Sequence, residues 1–473
     1  MNERKFPSFA VLGHPNEGKS SVVSTLAEDD SVPISPTPGE TRSCREYPVI
    51  IDGRPIIRFV DTPGFQRPRD TLKWMENYGG PEAGLLPEFI RTHRNDENFS
   101  DECELLTPLA NGAGIIFVVD GSRPVRGTDR MEMEILRRTG LPRMAVINLK
   151  DSGTAGYIED WKAESRRHFN SIRIFDAHRA SFAERIDLLE SLKRIDPDWQ
   201  PALDNVITAF RADWRERLEE TARIIADLMR EVLEYHVRKN SPDIDRIDQT
   251  RSELMETYQS QLTRIEKQAQ ERLRKRFKHN IFSYELPPQS IVKSDLFDRK
   301  TWQALGLTRQ QMAWAGAGIG AGIGAKIEAV LGGAGLGAFM ALGGAIGAGS
   351  AILGTKKVAQ SKVLGQSLGG VQIQVGPVEN DQLLFVMIDR ALIYFSYVIN
   401  WAHSRREKAE TESLGQIDIS RHLSAQWGED TKRTTLQFFQ AVRRGDPTEL
   451  VPAAGAFRTK LVLVLQDLSN FKG

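Results

Sequence analysis

At 473 residues the chain is too long for one ordinary hydrophobic core, and roughly two or three domains are expected. Lysine plus arginine and aspartate plus glutamate each number 63, so no global field favours nucleic acid or an acidic partner. Two cysteines, Cys44 and Cys103, cannot make a disulfide scaffold or a zinc site by themselves, and they point to a reducing compartment. Charged Glu3, Arg4 and Lys5 precede only a short apolar run, so a secretory signal is not expected.

The first predicted element is a buried strand, Phe9-Ala10-Val11-Leu12. It feeds directly into Gly13-His14-Pro15-Asn16-Glu17-Gly18-Lys19-Ser20, a complete G-x-x-x-x-G-K-S loop, and Ser20 to Leu26 reads as the helix that follows. Two glycines let the backbone wrap an anion, so that successive N–H groups face the α- and β-phosphates. Lys19 can reach the β/γ oxygens, and the Ser20 hydroxyl is placed to ligate Mg²⁺.

A polar loop, Pro33 to Arg42, leads to two strand-like runs, Tyr47 to Ile51 and Pro55 to Val60, joined by an Asp52-Gly53 turn. The second run ends in Asp61-Thr62-Pro63-Gly64. An aspartate at a buried strand end can hold a water on Mg²⁺, and a glycine N–H beside it can sense a γ-phosphate. Thr41, in the preceding loop, can close over the metal when the third phosphate is present. About 50 residues then separate Gly64 from Gly114. Trp74, Gly79-Gly80-Pro81 and Phe89 suggest a partly ordered insertion over about 66–112, either a partner-binding element or an elaborated surface loop. Three further buried runs, Gly114 to Asp120, Met144 to Asn148 and Ile172 to Phe175, alternate with helical stretches. The pattern is a doubly wound α/β sheet with ligands at the carboxyl ends of its strands.

The phosphate loop, Thr37-Pro38-Gly39-Glu40-Thr41-Arg42 and Asp61-Thr62-Pro63-Gly64 together resemble a translation-factor-class GTPase of the Era/TrmE/Der branch, over about residues 1–195. That resemblance implies GTP/GDP and Mg²⁺ as cofactors. It places Gly13, Asn16, Glu17, Gly18, Lys19, Ser20, Ser21, Thr41 and Gly64 around the phosphates, with Asn148, Asp151 and Ala177 at the base. Lys19, Thr41 and Gly64 are then the catalytic set, and Ser20, Thr41 and Asp61 the Mg²⁺ ligands. The family reads guanine with Asn-Lys-x-Asp; here Leu149 stands at the lysine position, which keeps the guanine-pairing carboxylate but leaves ATP open. His178 replaces the lysine that follows the alanine. Phe65 occupies the position of a water-orienting glutamine and cannot orient water. Asn16 resembles the loop asparagine that holds K⁺ in TrmE-like enzymes, which implies activation by K⁺ and by dimerisation through the G domains. The same asparagine also fits an ordinary turn-stabilising role.

Beyond Pro197 and Pro201 the apolar period becomes helical. Two long amphipathic helices, Leu203 to His236 and Ile244 to Phe277, are expected as an antiparallel hairpin broken at Asn240-Ser241-Pro242. Arg272, Arg274, Lys275, Arg276 and Lys278 form a basic patch that suits anionic lipid or nucleic acid, or simply a helix C-terminus in water. Of the 39 glycines, 14 fall between Ala313 and Gly354, and Ala329 to Thr355 runs for 27 residues without a charge. As one helix this would extend about 40 Å, enough for a hydrocarbon core. Glycines spaced by four (Gly316/Gly320/Gly324, Gly333/Gly337, Gly343/Gly347) suit helix association in lipid, or a soluble glycine zipper. Leu383 to Ala402 contains Asp389-Arg390 and reads as a core or interfacial helix, and Val371 to Val375 as an edge strand.

The expected layout is a GTPase domain at 1–195, a helical hairpin at 196–285 and a mainly α-helical domain at 286–473 with the glycine-rich segment 313–354. The whole chain resembles bacterial GTPases that carry a large helical domain of uncharacterised function. The implied activity is a GTP-hydrolysing switch at the inner face of a membrane, with a lipid or membrane-protein partner. The alternatives are a soluble ribosome or RNA assembly factor, and a membrane scaffold that binds GTP with negligible turnover.

Overall fold

The computed structural model describes residues 6–27, 43–149, 155–176, 180, 182–241, 247–277, 296, 323–331, 362–363, 366–367, 369–399 and 423–469. They divide into two compact units, one centred on 1–215 and the other on 216–398 with 414–471.

The first unit is built on a six-stranded sheet. In chain order its strands are β1 (Ser8–Leu12), β2 (Arg45–Ile51), β3 (Arg54–Asp61), β4 (Gly114–Asp120), β5 (Arg143–Asn148) and β6 (Ser171–Phe175). Their spatial order is β2-β3-β1-β4-β5-β6, antiparallel only between β2 and β3. The β2–β3 hairpin turns at Asp52 and Gly53, both at positive φ (50° and 74°), as the sequence indicates. Alternation with period two sorts the central strands into two layers. Phe9, Val11, Ile116, Val118, Met144 and Val146 face one core. Ala10, Leu12, Ile115, Phe117, Val119, Ala145 and Ile147 face the other. Buried on both faces, these strands carry the continuous apolar runs of a doubly wound sheet.

The first layer is covered by α1 (Lys19–Ala27), α7 (Phe182–Lys193) and the beginning of α8 (Gln200–Glu234). Trp199 packs edge-on to Phe9 at 4.8 Å, and Leu203, Val206 and Ile207 are buried beside it. The compact unit therefore reaches Arg215, beyond the boundary at 195 that the prolines suggest, because the sheet needs this apolar cover. The second layer is covered by α5 (Gly127–Arg138), α6 (Ile158–Ser165) and the insertion. The insertion is more ordered than its composition suggests: it forms α2 (Pro68–Glu76), α3 (Leu85–His93) and α4 (Ser100–Ala110). Met75, Leu86, Phe89, Leu105, Leu106 and Leu109 sit in the core, and Trp74 meets Phe89 edge-on at 5.2 Å.

In the second unit α8 ends at Glu234, and Val237–Ser241 forms a strand, β7, where the helical period suggested continuation to His236. α9 (Ile247–Arg276) runs antiparallel to α8, with Tyr235 stacked on Tyr258 and Arg272 paired to Asp227 at 3.3 Å. Within the glycine-rich segment, Ile323–Leu331 is a strand, β8, so this stretch is not part of a helical zipper. The rest of 313–354 lies outside the described residues. Gly369–Val378 forms β9, which pairs antiparallel with both β7 and β8; it is the centre of a three-stranded sheet, not the expected edge. Its partners are distant in sequence, which local alternation cannot reveal.

α10 (Asp381–Ile399) is long and apolar enough to cross a membrane, yet it is a buried core helix here. The Arg390 guanidinium grips Glu266 with two bonds, 2.6 and 2.9 Å, and Asp389 accepts the N–H and hydroxyl of Ser424 at 2.7 and 2.9 Å. α11 (Glu429–Arg444) and α12 (Pro447–Ser469) complete the unit, joined through Gly445 at φ 70° and packed through Phe438 on Phe457. The Arg390–Glu266 pair is almost fully desolvated, with side chains 3% exposed. Removing Glu266 takes away the carboxylate that both guanidinium bonds reach, in a place out of water. Glu266→Ala is expected to destabilise this unit by about 3–5 kcal/mol, whereas Glu266→Leu with Arg390→Met costs far less; urea unfolding of the three proteins checks it.

Candidate nucleotide site

The loop between β1 and α1 is held in backbone conformations that few residues adopt. Gly13 and Gly18 have φ 142° and 92°, and Asn16 has φ 67°, a left-handed conformation that asparagine tolerates best after glycine. There is also no room for side chains. A Cβ on Gly13 would lie 2.2 Å from the Val118 carbonyl oxygen, and one on Gly18 would lie 2.3 Å from Asn148 Nδ2. α1 starts at Lys19, so the positive end of its dipole faces the loop. Lys19, nearly buried, donates Nζ to the His14 carbonyl at 3.1 Å, across the mouth of the loop. Ser21 is buried in the first turn of α1.

The Ser20 hydroxyl donates to Asp61 Oδ2 at 2.7 Å. Asp61 is buried, and its other oxygen, Oδ1, has no hydrogen-bond partner among the described residues. Burial pushes the Asp61 carboxyl above its ordinary range, against the pull of Ser20 and Lys19. A divalent cation reverses that balance. A hydroxyl, a carboxylate with a spare oxygen and a lysine at one point are the donor set that hydrated Mg²⁺ and phosphate require, so the residues present fit the metal. Next in the chain, Thr62 donates its hydroxyl to the Val11 carbonyl at 2.7 Å, pinning β3 to β1. Gly64 lies flush against the phosphate loop: an added Cβ would come within 2.6 Å of Pro15 Cδ. Phe65 is 1% exposed and its ring packs into the core.

Glu17 is expected among the phosphate contacts, but its carboxylate is committed elsewhere. It accepts two bonds from the Arg123 guanidinium, 2.9 and 2.5 Å, and one from the Asp120 N–H. Arg123 also grips Asp129 at 2.7 and 2.8 Å and lies over the Trp161 ring. What Glu17 can offer a phosphate is its backbone. This braced triad was not visible as a site in the sequence; the only local signal is Asp129 three residues after Arg126, whose N–H it caps. Asn148 is fully buried and donates Nδ2 to the Glu17 carbonyl at 3.0 Å, tying the end of β5 to the loop after β1. The Leu149 N–H bonds the Phe175 carbonyl at 3.1 Å, bringing the ends of β5 and β6 together. Gly13, Asn16, Gly18, Lys19, Ser20, Asp61, Gly64 and Asn148 thus converge; Thr41, Asp151, Ala177 and His178 lie outside the described residues.

This fold and site define a P-loop GTPase domain. Residues 8–149 match the family described as 50S ribosome-binding GTPase, and residues 162–458 match the family described as domain of unknown function (DUF3482). The chain belongs to the latter family. It is similar to GTPase Der of Synechococcus sp. (31% identity over 150 residues, 32% of this chain and 27% of that protein). It is also similar to the tRNA modification GTPase MnmE of Phenylobacterium zucineum (26% identity over 158 residues, 33% of this chain and 34% of that protein). The chain spans less than two thirds of the length of these curated relatives. A crystal structure of an Era variant from Aquifex aeolicus, bound to GDP and AlF4⁻, aligns with a TM-score of 0.29 at 17% identity, covering 50% of this chain and 72% of that one.

His14, inside the loop, bonds Glu132 Oε1 through Nδ1 at 3.2 Å. Glu132 is fully buried on α5, and its hydrogen bond raises the His14 pKa above 6.5, assisted by Glu17 and opposed by burial and Arg123. A raised folded-state value stabilises the fold below the unfolded pKa, and the contribution is lost as pH rises through the folded midpoint. Solvent access to His14 keeps it small. Glu132→Gln is expected to lower the His14 midpoint by removing the charge while burial persists, as read by an NMR titration of the imidazole.

Proposed function

We propose that the chain is a GTP-binding, GTP-hydrolysing switch that senses the third phosphate at Gly64. The observation that carries this is the meeting of Ser20 and Asp61 at 2.7 Å, with Asp61 Oδ1 left over and Gly64 flush on the phosphate loop. Loop N–H groups and Lys19 hold the phosphates. Ser20, Asp61 and Thr41 would hold Mg²⁺, which when bound neutralises phosphate charge and favours attack at the terminal group. The Gly64 N–H distinguishes triphosphate from diphosphate, and Asn148 with Asp151 serves the base. Because Phe65 is buried, no side chain at that position orients water, and turnover by an isolated molecule is slow.

Asn16 stands on the exposed side of the loop, where its side chain would hold K⁺ between facing G domains of a homodimer. GTP turnover per molecule is therefore expected to rise about tenfold or more in K⁺ over Na⁺, and to rise with protein concentration. Lys19→Ala abolishes it in both salts. A rate indifferent to cation and concentration removes the dimer mechanism, and negligible turnover with intact GTP binding favours the scaffold reading.

Action at the inner face of a membrane rests on the sequence of the glycine-rich segment. The RNA-assembly reading, which the family description of ribosome binding brings to mind, takes second place. Its basic residues on α9 are partly neutralised, Arg272 by Asp227 at 3.3 Å, Lys275 by Glu271 at 3.1 Å and Arg276 by Glu216 at 3.2 Å. Membranes washed with carbonate are expected to retain the full chain and to release one lacking 332–354, a deletion that leaves β8 in place; RNase-sensitive co-sedimentation with ribosomes would reverse the ranking.

A further inference from the structure

The insertion reaches the nucleotide switch through one buried carboxylate. Glu102, on the first turn of α4, is wholly buried. An acidic side chain there ordinarily complements the dipole of its own helix. Instead Oε1 accepts the backbone N–H of Gln66 at 2.8 Å and that of Arg67, at the start of α2. Oε2 is buried with no hydrogen-bond partner among the described residues. A carboxylate held out of water by two backbone amides is costly to place and correspondingly firm in its grip.

What it grips is the far end of the γ-phosphate sensor. On the near side, Asp61 is fixed by Ser20 and Thr62 by the Val11 carbonyl. On the far side, Phe65 is sunk in the core, and Gln66 and Arg67 are fixed by Glu102. Only Pro63 and Gly64 lie between the two anchors. The same helix also holds the entry to β2: Glu104 Oε1 accepts the Cys44 N–H at 2.7 Å, and the Cys44 thiol donates to the Glu104 carbonyl at 3.2 Å. Burial pushes that thiol up to about 12, so it remains a neutral donor.

We propose that Glu102 is a positioning residue that presets the Gly64 N–H against the phosphate loop, so that α4 sets the preference for triphosphate over diphosphate. The proposal rests on the GTP-switch reading. A segment already ordered spends less conformational entropy when the third phosphate arrives. The advantage therefore applies to GTP and not to GDP, whose contacts end at the loop.

Affinity for GDP and for the β,γ-imido analogue of GTP, both with Mg²⁺, is measured by calorimetry on the full chain. Glu102→Ala is expected to weaken the analogue about tenfold while moving GDP less than about twofold. Glu102→Gln, which keeps an acceptor oxygen, is expected to restore most of the loss. An unchanged analogue-to-GDP ratio in Glu102→Ala, or equal weakening of both, overturns the proposal and leaves the GTPase reading intact. Failure of the unaltered chain to bind either nucleotide overturns the reading itself. Should Glu102→Ala not fold, amide exchange in the unaltered, nucleotide-free chain decides: slow exchange at Gln66 and Arg67 supports the clamp, and exchange as fast as exposed amides refutes it.

Discussion

Backbone N–H groups can bind an anion only if the chain turns them inward and nothing stands in front of them. Everything in the first unit serves that requirement. Gly13 and Gly18 take the positive φ values, and the space their absent side chains leave is already filled by the Val118 carbonyl and the Asn148 amide. The loop is thus keyed into β4 and the end of β5. The Glu17 carboxylate, a charge that would repel phosphate, is turned into the Arg123–Asp129 network and works as a brace. Gly64 completes the arrangement from the other side by lying against Pro15. Substituting Gly13 would press on β4, Gly18 on the end of β5, and Gly64 on the loop at Pro15.

Most of this framework could be read from the sequence because it is local. The G-x-x-x-x-G-K-S loop follows a buried strand, Asp61 to Gly64 ends another, and period-two alternation sorts each strand between two cores. Phe65, apolar where a glutamine was the comparison, is buried in the core, and the Asp389-Arg390 pair lies on a helix that is itself a core helix. The features that escaped are those set by distant partners. Glu102 and Gln66 are 36 positions apart, and Glu17 and Arg123 are 106 apart. No spacing rule connects them. The helical order of the insertion was hidden because its apolar residues face a sheet that single-helix periodicity does not describe.

The second unit teaches the same lesson through β9. Its short alternation signalled a strand but could not say where the strand stands in a sheet, since β7 and β8 come from residues about 130 positions before and about 45 positions before it. Once that sheet forms, α9 packs on it, and Gly376, at φ 83°, admits the Tyr258 ring so closely that a Cβ would lie 2.4 Å away. Polar pairs inside α10 then fix which residues it meets: Arg390 selects Glu266, and Asp389 selects Ser424. Apolar packing alone would tolerate several rotations of that helix, whereas misplacing either ion breaks buried hydrogen bonds to a charge.

One further consequence concerns where a region of unassigned role begins. The match to the domain of unknown function starts at residue 162, inside α6, and so includes β6 and α7, while the GTPase match stops at 149. β6 is an integral strand of the nucleotide sheet, paired with β5 from Met144 to Asn148, and α7 with the start of α8 joins α1 in covering its first layer. The region matched by that family is therefore not an independent module appended to a finished domain. It supplies part of the wall of the nucleotide fold, so a cut between residues 149 and 162 would leave the sheet without β6 and the cover of α7.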